Sequence, residues 1–592
     1  GQFLAEHPTL VVDTAHFEPE FKDRLVAAFD DLDEATDGLL IHAENYQALR
    51  LLQPKFAGRV KCIYIDPPYN SKSSEIAYKN TYKHSSWLSL LEGRLLASKS
   101  LLRKDSAYVI AIDENEQERL GLLADELFPD KQKTCVTVIH NPGGIQGESF
   151  SYTHEYAYFL FPTTGKHVGT VTRDQADIVP FRDWGGDESK RETARNCFYP
   201  IYVRDDKVVG FGDVCPEDFH PGHAVIERPD GTFEIYPVDS SRVERKWRFA
   251  RQTVEKIKEE LRCESVSGEK TIRRHKTVYR YKTVWTDARY NANTYGSKLL
   301  GDILGSTEFT FPKSLFTTID SISAVTQMDT GAIIVDFFAG SGTTGHAVVN
   351  LNRQDGGQRR FILAEIAGYF NTVLLPRIQK VMYSPDWKGG RPERLPTKEE
   401  TERAPRIVKV LRLESYEDAL HNLTADDTLE REAPRAAAHR DRLGPAAYRL
   451  RYLARLPLEA SASMLTLAAL EHPFRYTIEV LTEDGPRAET VDLVETFNFL
   501  CGLHVERLET WMNEKDGRLY RAVKGKTRTG QRVLVLWRDM ENLAPVVERR
   551  FLEERLGAEG PFDEVLINGD TATPGIRSLD GLFKRLMEEG ER

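Results

Sequence analysis

The sequence predicts an α/β protein built on a mainly parallel sheet, interrupted by an inserted domain and followed by a C-terminal α+β domain. Three observations carry that expectation. Short apolar strands alternate with helical patterns from residue 38, the alternation breaks into an irregular stretch rich in Gly, Pro, Asp and Arg from about 163, and it resumes at 331. The expected divisions are an N-terminal extension 1–37, a first half-sheet 38–162, the insert 163–282, a second half-sheet 283–383, a linker 384–430 and a C-terminal domain 431–592.

The elements follow in order. "GLLIH" reads as a strand, "NYQALRLLQ" as a helix, and "VKCIYI" as a strand ending at Asp66. An amphipathic helix over about 87–102 leads to the strand "SAYVIAI" and then Asp113, which with Glu116 reads as a capping box opening the next helix. Beyond the insert come the strand "GAIIVDFF", a helix over "GHAVVNLNRQ" and the strand "RRFILAEI". Pro and charge mark 384–405 as a linker. In the C-terminal domain "VLVLWRD" and "FDEVLING" read as strands and "LVETFNFLCGL" as a buried helix. A parallel sheet places its functional loops at the carboxyl edge, so 66–70 and 113–116 should face one crevice.

Composition narrows the function. The six cysteines form no CxxC pair, which argues against a zinc site or a disulfide framework, fits a reducing cytoplasm and leaves no metal expected. No apolar run reaches the ~18 residues of a membrane span, and no secretory leader is recognisable. The net charge of −11 disfavours nucleic acid on average, yet 241–282 holds fourteen Lys and Arg against six Glu, with Trp247, Phe249, Tyr279 and Tyr281 interleaved. That stretch is the candidate DNA-contacting surface, with Arg245, Lys246, Arg248, Arg273 and Arg274 as its phosphate ligands. "RQTVEKIKEEL" by itself reads as a solvated helix face.

Two motifs carry chemistry. "DFFAGSGTTGHA" has the spacing of a phosphate loop, but His346 and Ala347 follow Gly345 where a triphosphate loop needs Lys and Ser or Thr. The glycines then serve close approach of a cofactor without polyphosphate. Glu365 ends the next strand, where an acceptor for ribose hydroxyls belongs. A ribose-bearing cofactor that supplies its own electrophile is S-adenosylmethionine. In "IYIDPPYN" two prolines make a stiff turn with free carbonyls. The Asp66 carboxylate and the Pro67 carbonyl can accept the two N–H bonds of an exocyclic base amine and aim its lone pair, while Tyr69 offers a face to an extruded base.

Together, "DPPY" before "DFFAGSGTT" with a large insert between them resembles the β class of DNA amino-methyltransferases, and most closely the modification (Mod) subunits of type III restriction-modification systems. "LLIHAENYQALRLL", "HEYAYFLF", "RNCFYPIYV", "FTFPKSL" and "RLESYEDALHNL" extend the resemblance over about 38–425. It implies a Rossmann-like methyltransferase fold with S-adenosylmethionine as cofactor and the insert as target-recognition domain. By this resemblance Asp66, Pro67, Pro68 and Tyr69 form the catalytic tetrapeptide. Asp336, Phe338, Ala339, Gly340, Ser341, Gly342 and Thr343 form the cofactor loop, with Glu365 on the ribose. Lys313 falls in a further cofactor-side motif, with Ser314 where many members have a second proline, and Asn45 after Glu44 matches another cofactor position or a plain helix cap.

Asp at the head of the tetrapeptide resembles N6-adenine enzymes, Ser there being usual for N4-cytosine enzymes. C5-cytosine chemistry is excluded, since it needs a Pro-Cys pair that the chain lacks. The family further implies double-stranded DNA as partner, a homodimer, and a separate helicase-nuclease subunit, for which the C-terminal region is the candidate docking surface. N4-cytosine methylation, or a DNA-reading subunit active only with that partner, are the alternatives. An ATP-driven translocase fails on the missing lysine, and His154 with Glu155 reads as a pocket wall rather than a metal site.

Overall fold

The computed structural model describes residues 7, 9–70, 83–144, 150–266, 268–306, 309–422, 467–482 and 485–589. They fall into two compact units, Gly169–Tyr281 and the remainder.

The larger unit is organised by a nine-stranded sheet. Across it the strands run Val284–Trp285, Lys131–Ile139, His154–Pro162, Leu102–Ile112, Val60–Ile65, Ile333–Asp336, Arg360–Glu365, Thr36–His42 and Ile407–Arg412. All pairings are parallel except the two made by His154–Pro162. Val60–Ile65 is buried at every position, which is why its sequence is apolar except for Lys61, whose ammonium pairs with Asp105. Chain order reverses between that strand and Ile333–Asp336: one leads outward to Leu102–Ile112, the other to Arg360–Glu365. The loops after these two strands therefore part and leave a crevice at the sheet's topological switch point. They are the proline turn at 66–70 and the glycine loop at 337–342.

Covering helices pack where the sequence placed them. Trp87, Leu91 and Leu95 of His84–Lys99 join the core with Leu49 and Leu52 of Asn45–Phe56. The stretch 384–430, expected as a linker, instead contributes Ile407–Arg412 as an edge strand parallel to Thr36–His42, in continuous register from Gly38 onward. Its half-exposed, charge-interrupted sequence "IVKVLR" lacks the apolar run of a central strand.

The C-terminal domain is a five-stranded sheet: His504–Asn513, Arg518–Lys526 and Arg532–Arg538 are antiparallel in turn, and Glu564–Ile567 and Arg577–Ser578 add in parallel. Phe497 of helix Leu493–Leu500 meets Trp537 and Phe583 edge-on in its core. Phe499 of the same helix joins the core of the large sheet. The N-terminal extension also packs here, with Asp31 bonded to His504 and the Asp33 carboxylate accepting from the Val505 amide.

The second unit is a seven-stranded antiparallel sheet, ordered Thr170–Pro180, Glu269–Arg280, Leu261–Val266, Lys207–Phe211, Ile201–Arg204, Phe233–Ile235 and Val225–Glu227. Trp247 is in its core, stacked on Phe181 and donating its indole N–H to the Tyr199 carbonyl. It is not on a nucleic-acid-facing surface as expected: a basic neighbourhood says nothing of which way one ring points. The expected solvated helix at 251–260 is a short α-turn passing into a 3₁₀ segment, with Val254 and Ile257 buried in the same core.

Candidate active site

The proline turn leaves the sheet at Asp66. The Pro68 carbonyl accepts from the Trp87 indole at 2.8 Å, which ties the turn to the helix behind it. The Pro67 carbonyl accepts no hydrogen bond among the described residues. Asn70 closes the turn in the left-handed region, at φ 58°.

Three charged side chains converge on this turn. The Lys313 ammonium stands 3.2 Å from Asp66 Oδ1 and 2.5 Å from Glu155 Oε2, and it donates to the Tyr69 hydroxyl. Tyr69 in turn donates to Glu155 Oε2 at 3.3 Å. Lys313 thus contacts the proline turn; its motif was expected on the cofactor side. Glu155 reaches the same place because its strand runs antiparallel. His154 pairs with Ile139 and Tyr156 with Ile112, so the strand begins at the edge where its neighbours end.

The ionisation of this group is unequal. Burial pushes the Asp66 carboxyl above its ordinary value; Lys313 opposes that and Glu155 reinforces it. For Glu155 burial also acts upward, but Lys313 and His140 outweigh it and hold the group low. Burial would lower the Lys313 ammonium, yet the two carboxylates hold its pKa up. Glu155 and Lys313 therefore form a fixed ion pair, and Asp66 is the member prepared to take a proton.

Beside the turn, Asp336 ends its strand fully buried, accepting from the Phe338 amide at 3.0 Å and the Thr344 hydroxyl at 2.6 Å. Burial raises its carboxyl to about 7. Gly340 and Gly342 take φ of 54° and 79°, a region costly for side-chain-bearing residues. Glu365 braces the loop: Oε2 accepts from the Gly340 amide at 2.8 Å, and Oε1 from Ile366 and Ala367. Behind the loop, buried Arg377 donates to the hydroxyls of Ser341 and Thr343 at 2.8 Å each and to His346 Nδ1 at 3.3 Å. Burial and Arg377 push His346 well below its ordinary range, so a neutral imidazole stands where a triphosphate loop would carry its lysine.

Gly342→Ala tests the loop directly. A Cβ there would lie 3.2 Å from Leu374 as well as impose left-handed strain. The expected result, by isothermal titration with S-adenosylhomocysteine, is at least roughly tenfold weaker binding, corresponding to about 1–2 kcal/mol of strain.

Other expected residues lie differently. Glu44 caps helix Asn45–Phe56 through the Tyr46 and Gln47 amides, and the Asn45 amide oxygen accepts from Arg94 at 2.8 Å. The capping box at Asp113 and Glu116 does not form. Asp113 accepts from Asn115, while Glu116 starts the helix with no side-chain cap and turns its buried carboxylate to Asn70 and His84, each at 2.6 Å. Sequence offered no sign of this, because a capping spacing and an outward-reaching acid are spelled alike. In the second unit Arg245 pairs with Asp239, Arg274 with Glu260 and Arg273 with Glu264, while Lys246 donates to Thr193. Arg248 is exposed and makes no ion pair among the described residues.

A glycine loop and an acid-headed proline turn at one switch point define a Rossmann-like methyltransferase. Residues 60–373, more than half of the chain, match the N6/N4 DNA methylase family, and the chain belongs to that family. Among curated relatives, the Mod subunit of the type III restriction-modification enzyme EcoPI, from Escherichia phage P1, is 25% identical over 55% of this chain and 57% of its own length. The type II methyltransferase M.KpnI of Klebsiella pneumoniae is 28% identical over 56% of this chain and 81% of its own. The chain thus spans little more than half of the first relative. A putative DNA modification methylase of Thermus thermophilus, solved with S-adenosyl-L-methionine, aligns at 11% identity over 63% of this chain and 98% of that one, with a TM-score of 0.29, too low to carry an argument.

Proposed function

We propose that this protein transfers a methyl group from S-adenosylmethionine to the N6 amine of an adenine extruded from duplex DNA. The observation that carries the reading is the meeting of Asp66, Tyr69, Lys313 and Glu155 beside a glycine loop braced by Glu365. The cofactor fits these residues. Glu365, which accepts from three backbone amides at the loop, stands at the strand end where an acceptor for ribose hydroxyls belongs. The acid-rich surroundings suit a sulfonium better than a polyphosphate. When bound, the cofactor supplies an electrophilic methyl and leaves as a neutral thioether.

The chain's own residues orient and discharge the amine. The Pro67 carbonyl and the Asp66 carboxylate accept its two N–H bonds, directing the lone pair away from the ring. As the N–C bond forms, the nitrogen becomes acidic and Asp66, with its raised carboxyl, takes the proton. Glu155 and Lys313 keep the pocket's charge fixed while this happens. Asp rather than Ser at position 66 favours adenine. The unit 169–281 is the target-recognition domain in this reading, with Arg248 its unpaired phosphate ligand. The relatives named as Mod subunits favour a role as the modification subunit of a restriction-modification system, as a homodimer with a separate restriction subunit. Because Phe499 belongs to the large sheet's core, the C-terminal domain is not a detachable docking module.

The test is methyl transfer from labelled cofactor into unmethylated DNA, with nucleoside mass spectrometry of the product. N6-methyladenine is expected, and Asp66→Ala should lower the rate by at least about 10²–10³-fold. N4-methylcytosine would keep the mechanism and overturn the base; no methylated nucleoside from the wild type would sink the reading.

A further inference from the structure

We infer that Glu116 is a positioning residue that holds the catalytic turn through Asn70; the inference rests on reading Asp66–Tyr69 as that turn. The Glu116 side chain is fully buried, at 0% exposure, and a carboxyl in that position is costly unless it is hydrogen-bonded. It makes no bond to the start of its own helix. Its Oε1 instead accepts from the Asn70 amide and from His84 Nδ1, both at 2.6 Å, and its Oε2 lies 3.7 Å from Arg119.

Asn70 directly follows Tyr69 and sits at φ 58°, a conformation that Asn tolerates but does not prefer over extended backbone. A carboxylate pulling on its side-chain amide selects that conformation. The left-handed residue then fixes the direction in which the chain leaves Tyr69. On the other side of Asp66 the strand supplies rigidity, and on this side Glu116 supplies it. His84 opens the helix that carries Trp87, whose indole already holds the Pro68 carbonyl. Glu116 therefore joins two supports of one turn: the residue after it and the helix behind it. Loss of this support would misplace Asp66 and Tyr69 by fractions of an ångström, which costs rate rather than cofactor affinity.

The experiment is a double-mutant cycle on the full chain, reading the single-turnover methylation rate and the dissociation constant of S-adenosylhomocysteine. Glu116→Leu is expected to slow methyl transfer by on the order of 10²-fold with cofactor binding changed less than about threefold. Glu116→Gln, which keeps an acceptor oxygen for Asn70, should recover most of that loss. In an Asn70→Gly background, where the residue adopts the left-handed region unaided and offers no amide, Glu116→Leu should cost less than about threefold more. An equal loss in both backgrounds would overturn the inference. So would a Glu116→Leu protein whose cofactor binding and melting temperature fall together with its rate, since that is a folding defect. If the wild type methylates no DNA, the reading of the turn fails and this inference with it; an active wild type with an uncoupled cycle defeats this inference alone.

Discussion

Lys313→Met is expected to reduce methyl transfer near pH 7 by about 10²-fold or more and to move the acid limb of the pH–rate profile to higher pH. The reason is charge balance. One ammonium serves two carboxylates, and at 3.2 Å its attraction for Asp66 is roughly 5 kcal/mol at an effective dielectric near 20. Without it, burial and Glu155 both act on Asp66 in the upward direction. Asp66 must be ionised to accept the amine hydrogens, so a higher pKa means that the rising limb appears later in pH. Adding Glu155→Gln to the Lys313→Met protein removes the like charge and should bring the limb part of the way back. The measurement is kcat against pH for wild type, single and double variants. A limb that does not move in Lys313→Met would show that the ammonium is not coupled to Asp66.

The same cluster shows how far the sequence reaches. The strand "VKCIYI" and its turn were legible because a doubly covered strand is mainly apolar and two prolines have few uses after one. The glycine loop was legible because Gly340 and Gly342 sit where a side chain would be strained. Glu155 was visible only as part of a wall motif. Its strand is the one that runs against the rest, and pattern alone does not reveal direction. Lys313 is separated from Asp66 by the whole insert, so its partnership is a product of the sheet rather than of any spacing. Arg377 has an ordinary amphipathic helix around it, and nothing local distinguishes a buried guanidinium from an exposed one.

Charge counting misled in the second unit for a related reason. The excess of Lys and Arg in 241–282 is real, but Glu260 and Glu264 from the same stretch fold back onto Arg274 and Arg273 across the paired strands. A linear tally treats each cation as available; a hairpin pairs many of them off. The edge strand at 407–412 was lost to the opposite bias. Its neighbours carry prolines and charges, and a strand with one neighbour does not need the apolar continuity of a central one.

The largest stability effect is expected at the opposite edge of the sheet. Asp33→Ala should destabilise the larger unit by about 3–5 kcal/mol. The Asp33 carboxylate lies 2.7 Å from Lys55 and 3.6 Å from Lys409, and Lys55 is only 4% exposed. Removing the acid leaves the Lys55 ammonium buried without its anion. The same carboxylate accepts from the Val505 amide, so one side chain ties the N-terminal extension to the first core helix, the edge strand and the C-terminal sheet. Burial alone would raise its pKa, but Lys55 and Lys409 outweigh that and hold it below the ordinary value. A depressed carboxyl contributes stability that is fully present above its unfolded pKa of about 3.9 and is lost as the pH falls through the folded value. The gap between wild type and Asp33→Ala in urea unfolding should therefore be constant from about pH 8 to 5 and narrow in stronger acid. A gap under about 0.5 kcal/mol, or one unchanged by acid, would mean that the contact is incidental. Asp66, Tyr69 and Glu365 stand at the carboxyl edge, so the folded fraction of Asp33→Ala should methylate DNA at the wild-type rate. Stability is set at one edge of this sheet and chemistry at the other, and the two variants, Asp33→Ala and Lys313→Met, should separate them.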